Sequence, residues 1–252
     1  MLICSSQKNE KMKKVWLCVL FLTSLSAFSQ NIEIIGGVNR NNFFNYKSEG
    51  HFMSEYESAY GYLLQVSVDD INMDWHKWRL ALTLEKYGGN LKVSNGGLGG
   101  GYSTIADVDK TILYLGWNPV NVKILKCIDF NLGLEFGQLI HESFNGRAYG
   151  WSMGSPDWSN DLSEKYDHFS ANNYIGAKAR IAYDIQITDK FVLSPQYSYY
   201  FGLTKEFQVF PKETKSMRHS FSVGLQRKLN LKKALTFNAQ IDYSSNHFSR
   251  LR

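Results

Sequence analysis

The sequence predicts an all-β protein, a transmembrane antiparallel up-and-down β-barrel of eight to ten strands. Three observations predict it. Apolar and polar residues alternate strictly along several segments, the connections between those segments alternate short and long, and the chain opens with an export signal.

The export signal sets the boundaries. Residues 15–28 form an apolar run behind Lys11, Lys13 and Lys14, and Ala27-Phe28-Ser29 ends it. A basic n-region, a short apolar stretch and small residues at −3 and −1 make a secretory signal peptide, with Gln30 as the expected new terminus. The run is shorter than the roughly 20 apolar residues that a spanning helix needs. Met12-Lys13-Lys14 opens a more ordinary signal, so Met12 is an alternative start. No Leu-x-x-Cys lipidation box lies near the cleavage point. Residues 1–29 are thus read as a signal peptide and 30–252 as one barrel domain.

Removing that signal takes away four Lys and one Glu, so the formal charge falls from +5 to +2. The basic balance belongs partly to the export signal, and nucleic acid loses its main support as a partner. Cys4 and Cys18 leave as well. Cys127 alone can build neither a disulfide framework nor a zinc site, and it reads as a lone thiol near a turn. No metal-ligand spacing occurs and no cofactor is expected.

Alternation is clearest in Phe130-Asn131-Leu132-Gly133-Leu134-Glu135-Phe136-Gly137, where every even position is apolar and every odd one is small or polar. Residues 220–226 and 235–244 repeat the pattern. Weaker copies cover 32–40, 59–68, 78–85, 175–187 and 191–203. Successive strand side chains point to opposite faces, so each segment has one apolar and one polar face. Residues 111–124 change parity at Asn118-Pro119, and a β-bulge there explains the slip, because proline cannot donate to a ladder.

Connections at 69–74, 125–129, 188–190 and 230–234 are short and polar. Those at 41–58, 88–110, 141–171 and 204–217 are long and rich in Gly, Asn, Ser and charge. Tight turns at one end and long loops at the other characterise membrane barrels. Glu33, Arg79, Glu85, Glu135, Lys178, Arg180, Asp184 and Asp242 fall on the polar face, which a membrane barrel turns inward. Alternation alone leaves a soluble sandwich open. Aromatics near strand ends (Tyr60, Tyr62, Trp75, Trp78, Tyr87, Tyr174, Phe191, Tyr199, Tyr200 and Phe201) favour the barrel, because such rings suit the lipid–water boundary.

With these features the chain resembles the small outer-membrane β-barrel family of Gram-negative bacteria. Residues 26–30 (Ser-Ala-Phe-Ser-Gln), 34–38 (Ile-Ile-Gly-Gly-Val) and 221–225 (Phe-Ser-Val-Gly-Leu) carry the resemblance. It implies residence in the cell outer membrane, with outer-membrane lipid, lipopolysaccharide and the barrel-assembly machinery as partners and any ligand of the extracellular loops unspecified. Two features depart from the pattern. Nine strands are counted where single-chain barrels have an even number, so 246–252 would form a tenth or one segment is misread. The chain also ends Phe248-Ser249-Arg250-Leu251-Arg252 rather than on an aromatic residue.

Candidate chemistry is thin. Gly96-Gly97-Leu98-Gly99-Gly100-Gly101 has no helical period after it, so it reads as an outside loop and not a phosphate cradle. Asp157, Asp161, Asp167 and His168 have the composition of omptin-type proteases without their spacing. His247-Phe248-Ser249 is similar to the His-x-Ser of lipid A deacylases, but Arg250 stands where Asn follows in that family. The interior charges are more informative. Glu135 is expected to face Lys178 or Arg180, with Glu85 and Asp184 nearby, in a lumen too narrow for an open channel and closed by ion pairs. The expectation is a non-enzymatic barrel with structural, assembly or loop-binding work. The catalytic residues are unknown, and an outer-membrane hydrolase and a narrow solute channel remain as alternatives.

Overall fold

In a computed structural model of the chain, the described residues are 31–45, 52–73, 76–125, 127–162, 168–209 and 213–228. The signal segment, Trp75, Asp167, the alternating segment 235–244 with Asp242, and His247 and Ser249 lie outside them.

Among the described residues ten strands follow one another: β1 Asn31–Asn45, β2 Phe52–Met73, β3 His76–Gly97, β4 Gly100–Leu125, β5 Ile128–Ser152, β6 Ser155–Asp161, β7 Asn173–Tyr183, β8 Ile185–Gln186, β9 Phe191–Gly202 and β10 Thr214–Lys228. Eight of them close a ring in the order β1-β2-β3-β4-β5-β7-β9-β10, and β10 pairs back to β1. Every ladder is antiparallel. β6 folds back on the end of β5, and the two-residue β8 prolongs the β7 side of β9. Eight of the nine alternating segments supply the ring, and the ninth, 235–244, lies outside the described residues. The even count therefore needs no tenth strand.

At one end the strands pair almost to their junctions, β2 with β3 up to Met73↔His76 and β4 with β5 up to Leu125↔Ile128. At the other end the expected long loops are largely strand. β3 and β4 stay paired from Arg79↔Asn118 to Gly97↔Gly100, so 88–110 is a hairpin whose turn is Leu98-Gly99. The stretch 141–171 likewise continues β5 to Ser152 and returns along β6. At roughly 3.3 Å per residue, the 26 residues of β4 reach on the order of 85 Å. About 9–11 residues suffice to cross a bilayer, so this wall stands well clear of it.

The faces follow the alternation. On β5, Leu132 and Phe136 point outward and are 43% and 45% exposed, whereas Asn131 and Glu135 are buried inside. On β4 the parity slip falls where expected, as a register shift between Trp117 and Val120. Along β4 the chemistry of the two faces exchanges while the parity holds. In the lower half Leu113, Leu115 and Trp117 face outward, with Ile112, Tyr114, Gly116 and Asn118 inside. Above Lys110 the outward residues become Asp109 and Asp107, followed by the exposed Ile105, and the inward ones are the buried Val108 and Ala106. A soluble barrel has no reason for this exchange. A membrane barrel requires it, because the outer surface meets hydrocarbon over about 25 Å and water beyond. The chain is a transmembrane antiparallel β-barrel with a water-exposed upper extension.

Candidate functional site

The lumen is filled from floor to mouth by side chains that the inward positions of all eight ring strands supply. At the floor, Lys123 reaches Asp184 at 3.1 Å and Asp129 at 3.4 Å, and Ser194 donates to Asp184 at 2.7 Å. Asp184 thus belongs to the turn end and not to the central set. Above it, Arg79 donates to Glu33 at 2.7 Å and to Asp69 at 2.9 Å. Arg180 reaches the same Glu33 carboxylate at 3.2 Å and Asn131 at 3.0 Å, and it donates to Gln196. One glutamate therefore ties together two guanidinium groups from β3 and β7. The next layer is the expected pair, Lys178 donating to Glu135 at 2.7 Å, with Thr83 on Gln65 at 3.1 Å beside it.

The upper lumen changes character. Arg218 is fully buried, its Nε lies 3.2 Å from Glu85, and Asn39 donates to the same carboxylate oxygen at 2.7 Å. Its guanidinium carbon sits 3.6 Å from the ring centre of Tyr200, 4.3 Å from Tyr87 and 5.1 Å from Tyr114. Arginine suits such a site because a planar, weakly hydrated cation stacks on ring faces and still bonds a carboxylate.

Two loops close the mouth. Lys110, fully buried on β4, donates to the Glu206 carboxylate at 2.8 Å and to the Glu206 carbonyl at 3.1 Å. Tyr87 donates to that carboxylate at 3.1 Å, and Ser216 also bonds it. Phe207 lies 4.3 Å from the Lys110 ammonium and Tyr174 5.3 Å from it. Glu142 on β5 holds the neighbouring loop by accepting from the amides of Phe169 at 3.1 Å and Ser170 at 2.8 Å. The loops then bond each other, the Ala171 amide to the Glu206 carbonyl at 2.9 Å and Ser170 bridging Phe207. Phe43, Phe169, Phe207, Leu91, Val108 and Leu139 pack into one apolar cluster beneath them. Burial alone would push the Glu206 carboxyl up, but the charges of Lys110 and Arg218 and the hydrogen bonds from Lys110 and Ser216 hold it below the ordinary range.

This arrangement corrects several expectations from sequence. Tyr87, Tyr174 and Tyr200 are not boundary aromatics but buried members of the plug. Tyr60, Tyr62 and Phe191 do face outward and are exposed. The glycine run 96–101 is a hairpin tip, not a loose loop. Asp157 and Asp161 stand on β6, and the acid that His168 faces is Glu142, 4.0 Å away. Glu142 also accepts two backbone amides, and Asp167, the acid beside His168 in sequence, lies outside the described residues. Cys127 sits free in the β4–β5 turn, as expected. Sequence reasoning missed Lys110, Glu206, Glu142 and Arg218. Lys110 and Arg218 did carry a signal, since each is a cation on the inward parity of its own strand.

No protein-family model and no curated protein sequence matches the chain. Among solved structures it is similar to Neisserial surface protein A, with 14% identity, 79% of this chain and 97% of that one covered, and a TM-score of 0.35. It is also similar to Ail, the attachment invasion locus protein of Yersinia pestis, with 11% identity, 79% and 99% covered and a TM-score of 0.35. For the outer membrane protein OprG from Pseudomonas aeruginosa the values are 12%, 80% and 97%, and 0.39. The class of the protein, a small transmembrane β-barrel, rests on the closed ring and the exchange of faces rather than on these overlaps.

Proposed function

We propose that the chain is a Gram-negative outer-membrane barrel that works through its extracellular wall and loops, as a structural or binding element, and neither conducts solutes nor catalyses a reaction. The observation that carries this is the continuous fill of the lumen. Ion pairs occupy each level, half-open to solvent at the floor in Lys123–Asp184 and buried from Arg79–Glu33 up to Lys110–Glu206, and an apolar loop plug closes the top. A barrel of eight strands is just wide enough for side chains to fill it. Opening it would strand buried charges, each at a cost of several kcal/mol.

Outer-membrane lipid, lipopolysaccharide and the barrel-assembly machinery are the partners such a protein meets. The ordered extension above the membrane is the surface it offers to anything outside. The test is conductance of the purified protein in planar bilayers, beside detection in isolated outer membranes. Silence at the bilayer and recovery in the outer membrane are expected. Stable openings of general-porin size would replace this proposal with a channel.

A further inference from the structure

On the outer wall, three rows of side chains cross β1, β10 and β9 one above another. The register aligns Gly36 with Val223 and Val223 with Pro195, then Val38 with Phe221 and Tyr197, then Arg40 with His219 and Tyr199. All of them point away from the lumen. The first row is unusually low, because Gly36 has no side chain and a Cβ built there would meet nothing within 4 Å. The wall accordingly carries an apolar trough of about 650 Å³ with Gly36 and Pro195 in its floor and Tyr197 and Phe221 on its flank. That is the size of an ordinary small-ligand pocket, about 300–1,000 Å³. It lies within the apolar belt, continuous with the surface that meets hydrocarbon.

The top row supplies the opposite chemistry. Arg40 is exposed, in no ion pair among the described residues, and its guanidinium lies 5.9 Å from the ring centre of the adjacent Tyr60, with Ser58 at 3.4 Å. His219 contacts the Tyr197 hydroxyl at 2.6 Å through Nδ1, which leaves Nε2 as the ring nitrogen available to a ligand. Val38, the smallest side chain of its row, itself lines the trough and stands directly below Arg40 on β1. From Gly36 to Arg40 is about 13 Å at roughly 3.3 Å per residue, within reach of one acyl chain and its headgroup.

We propose that this seam is a binding site for a phosphorylated lipid of the outer leaflet, one acyl chain lying in the trough past Val38 and a phosphate on Arg40 and His219. The site rests on the reading of the belt as lipid-facing. It needs a single lipid with both an anionic head and a hydrocarbon chain, which separates it from the shell of lipid that surrounds any barrel.

The full chain refolded with purified diphosphoryl lipid A would be examined by native mass spectrometry, with folding checked for every variant by heat-dependent gel mobility. Wild type should retain one lipid A. Gly36→Leu, which fills the trough, and Val38→Phe, which narrows the passage, should each reduce retention. Arg40→Ala should weaken it about fivefold, the worth of roughly 1 kcal/mol for a basic residue near an anionic surface. Dephosphorylated lipid A should bind wild type more weakly than diphosphoryl lipid A binds Arg40→Ala, because it loses the contact to His219 as well. Leu115→Phe, across the barrel on β4, should leave retention unchanged. Equal retention in all variants would mean only surrounding lipid and would overturn the site. So would a wild-type dimer that Gly36→Leu dissociates, because a second copy would then occupy the trough. Failure of wild type itself to enter lipid would instead refute the membrane reading beneath it.

Discussion

Replacing Glu206 by alanine tests the loop plug at its centre. The carboxylate is buried and receives the Lys110 ammonium at 2.8 Å, the Tyr87 hydroxyl at 3.1 Å and the Ser216 hydroxyl. Its removal leaves Lys110 buried without a counter-charge, and breaking a buried pair from one side costs about 3–5 kcal/mol. The lower end applies, because the backbone carbonyl of residue 206 and the rings of Phe207 and Tyr174 still face the ammonium. At 1.4 kcal/mol per tenfold, about 3 kcal/mol raises the open-loop population by roughly two orders of magnitude. The ring strands should stay paired, since loops of this kind open locally. Tryptic cleavage after the exposed Lys205 reads that opening directly, because the segment must leave its hydrogen bonds to enter the protease. Cleavage should accelerate by about a hundredfold in Glu206→Ala while the heat-dependent gel shift of the barrel persists. Adding Lys110→Met to Glu206→Gln should restore most of the resistance, as no buried charge is then unpaired. A Glu206→Ala barrel cleaved at the wild-type rate would refute the reasoning.

Four other outcomes follow from the same structure. Phe136→Arg places a charge on the lipid face of β5 and should cost about 2–4 kcal/mol in folding into vesicles, measured by urea titration. Gly133→Ser, which alternation alone marks as mild, should also be destabilising in that titration, because a Cβ there would lie 2.2 Å from the Trp117 carbonyl where β4 bulges. The depressed Glu206 carboxyl contributes stability that is fully present above the ordinary glutamate value of about 4.3 and is lost as pH falls through its folded value. Hydrogen exchange at the Ala171 amide, corrected for intrinsic rate, should therefore stay protected from about pH 7 to 5 and lose protection below about pH 4. Expressed in a Gram-negative host, the protein should show an intact mass beginning at Gln30, and a retained 13–29 segment would contradict the signal assignment.

The barrel was legible where outward and inward chemistry differ along one strand. Residues 130–137 and 220–226 announce their faces because apolar residues outside and small or polar ones inside leave an unbroken period of two. The upper wall was not legible, because residues 88–110 carry Gly, Asn and Ser at strand positions and most of their apolar members, Leu91, Val93, Ala106 and Val108, face inward while Ile105 is exposed. That is the reverse of the lower half, so a pattern tuned to one solvent misses the other. The Glu135–Lys178 pair could be expected, since β5 and β7 are neighbours in the ring and carry opposite charges at inward positions. The Lys110–Glu206 clamp could not, because it joins a strand to a loop 96 residues away and depends on how that loop folds into the mouth. Tyr87, Tyr174 and Tyr200 were misplaced for a related reason. Nearness to a strand end marks a boundary ring only when the side chain points outward.

One wall of β4 passes from hydrocarbon to water without changing parity. Spin labels at the outward positions 117, 115, 113, 109 and 107, introduced singly by cysteine substitution with Cys127→Ser as background, read it directly in reconstituted vesicles. Labels at 117, 115 and 113 should be relaxed by oxygen and shielded from a water-soluble nickel complex, with the preference reversed at 109 and 107. Nickel accessibility at all five positions would show an outer wall bathed in water throughout and would contradict the membrane barrel.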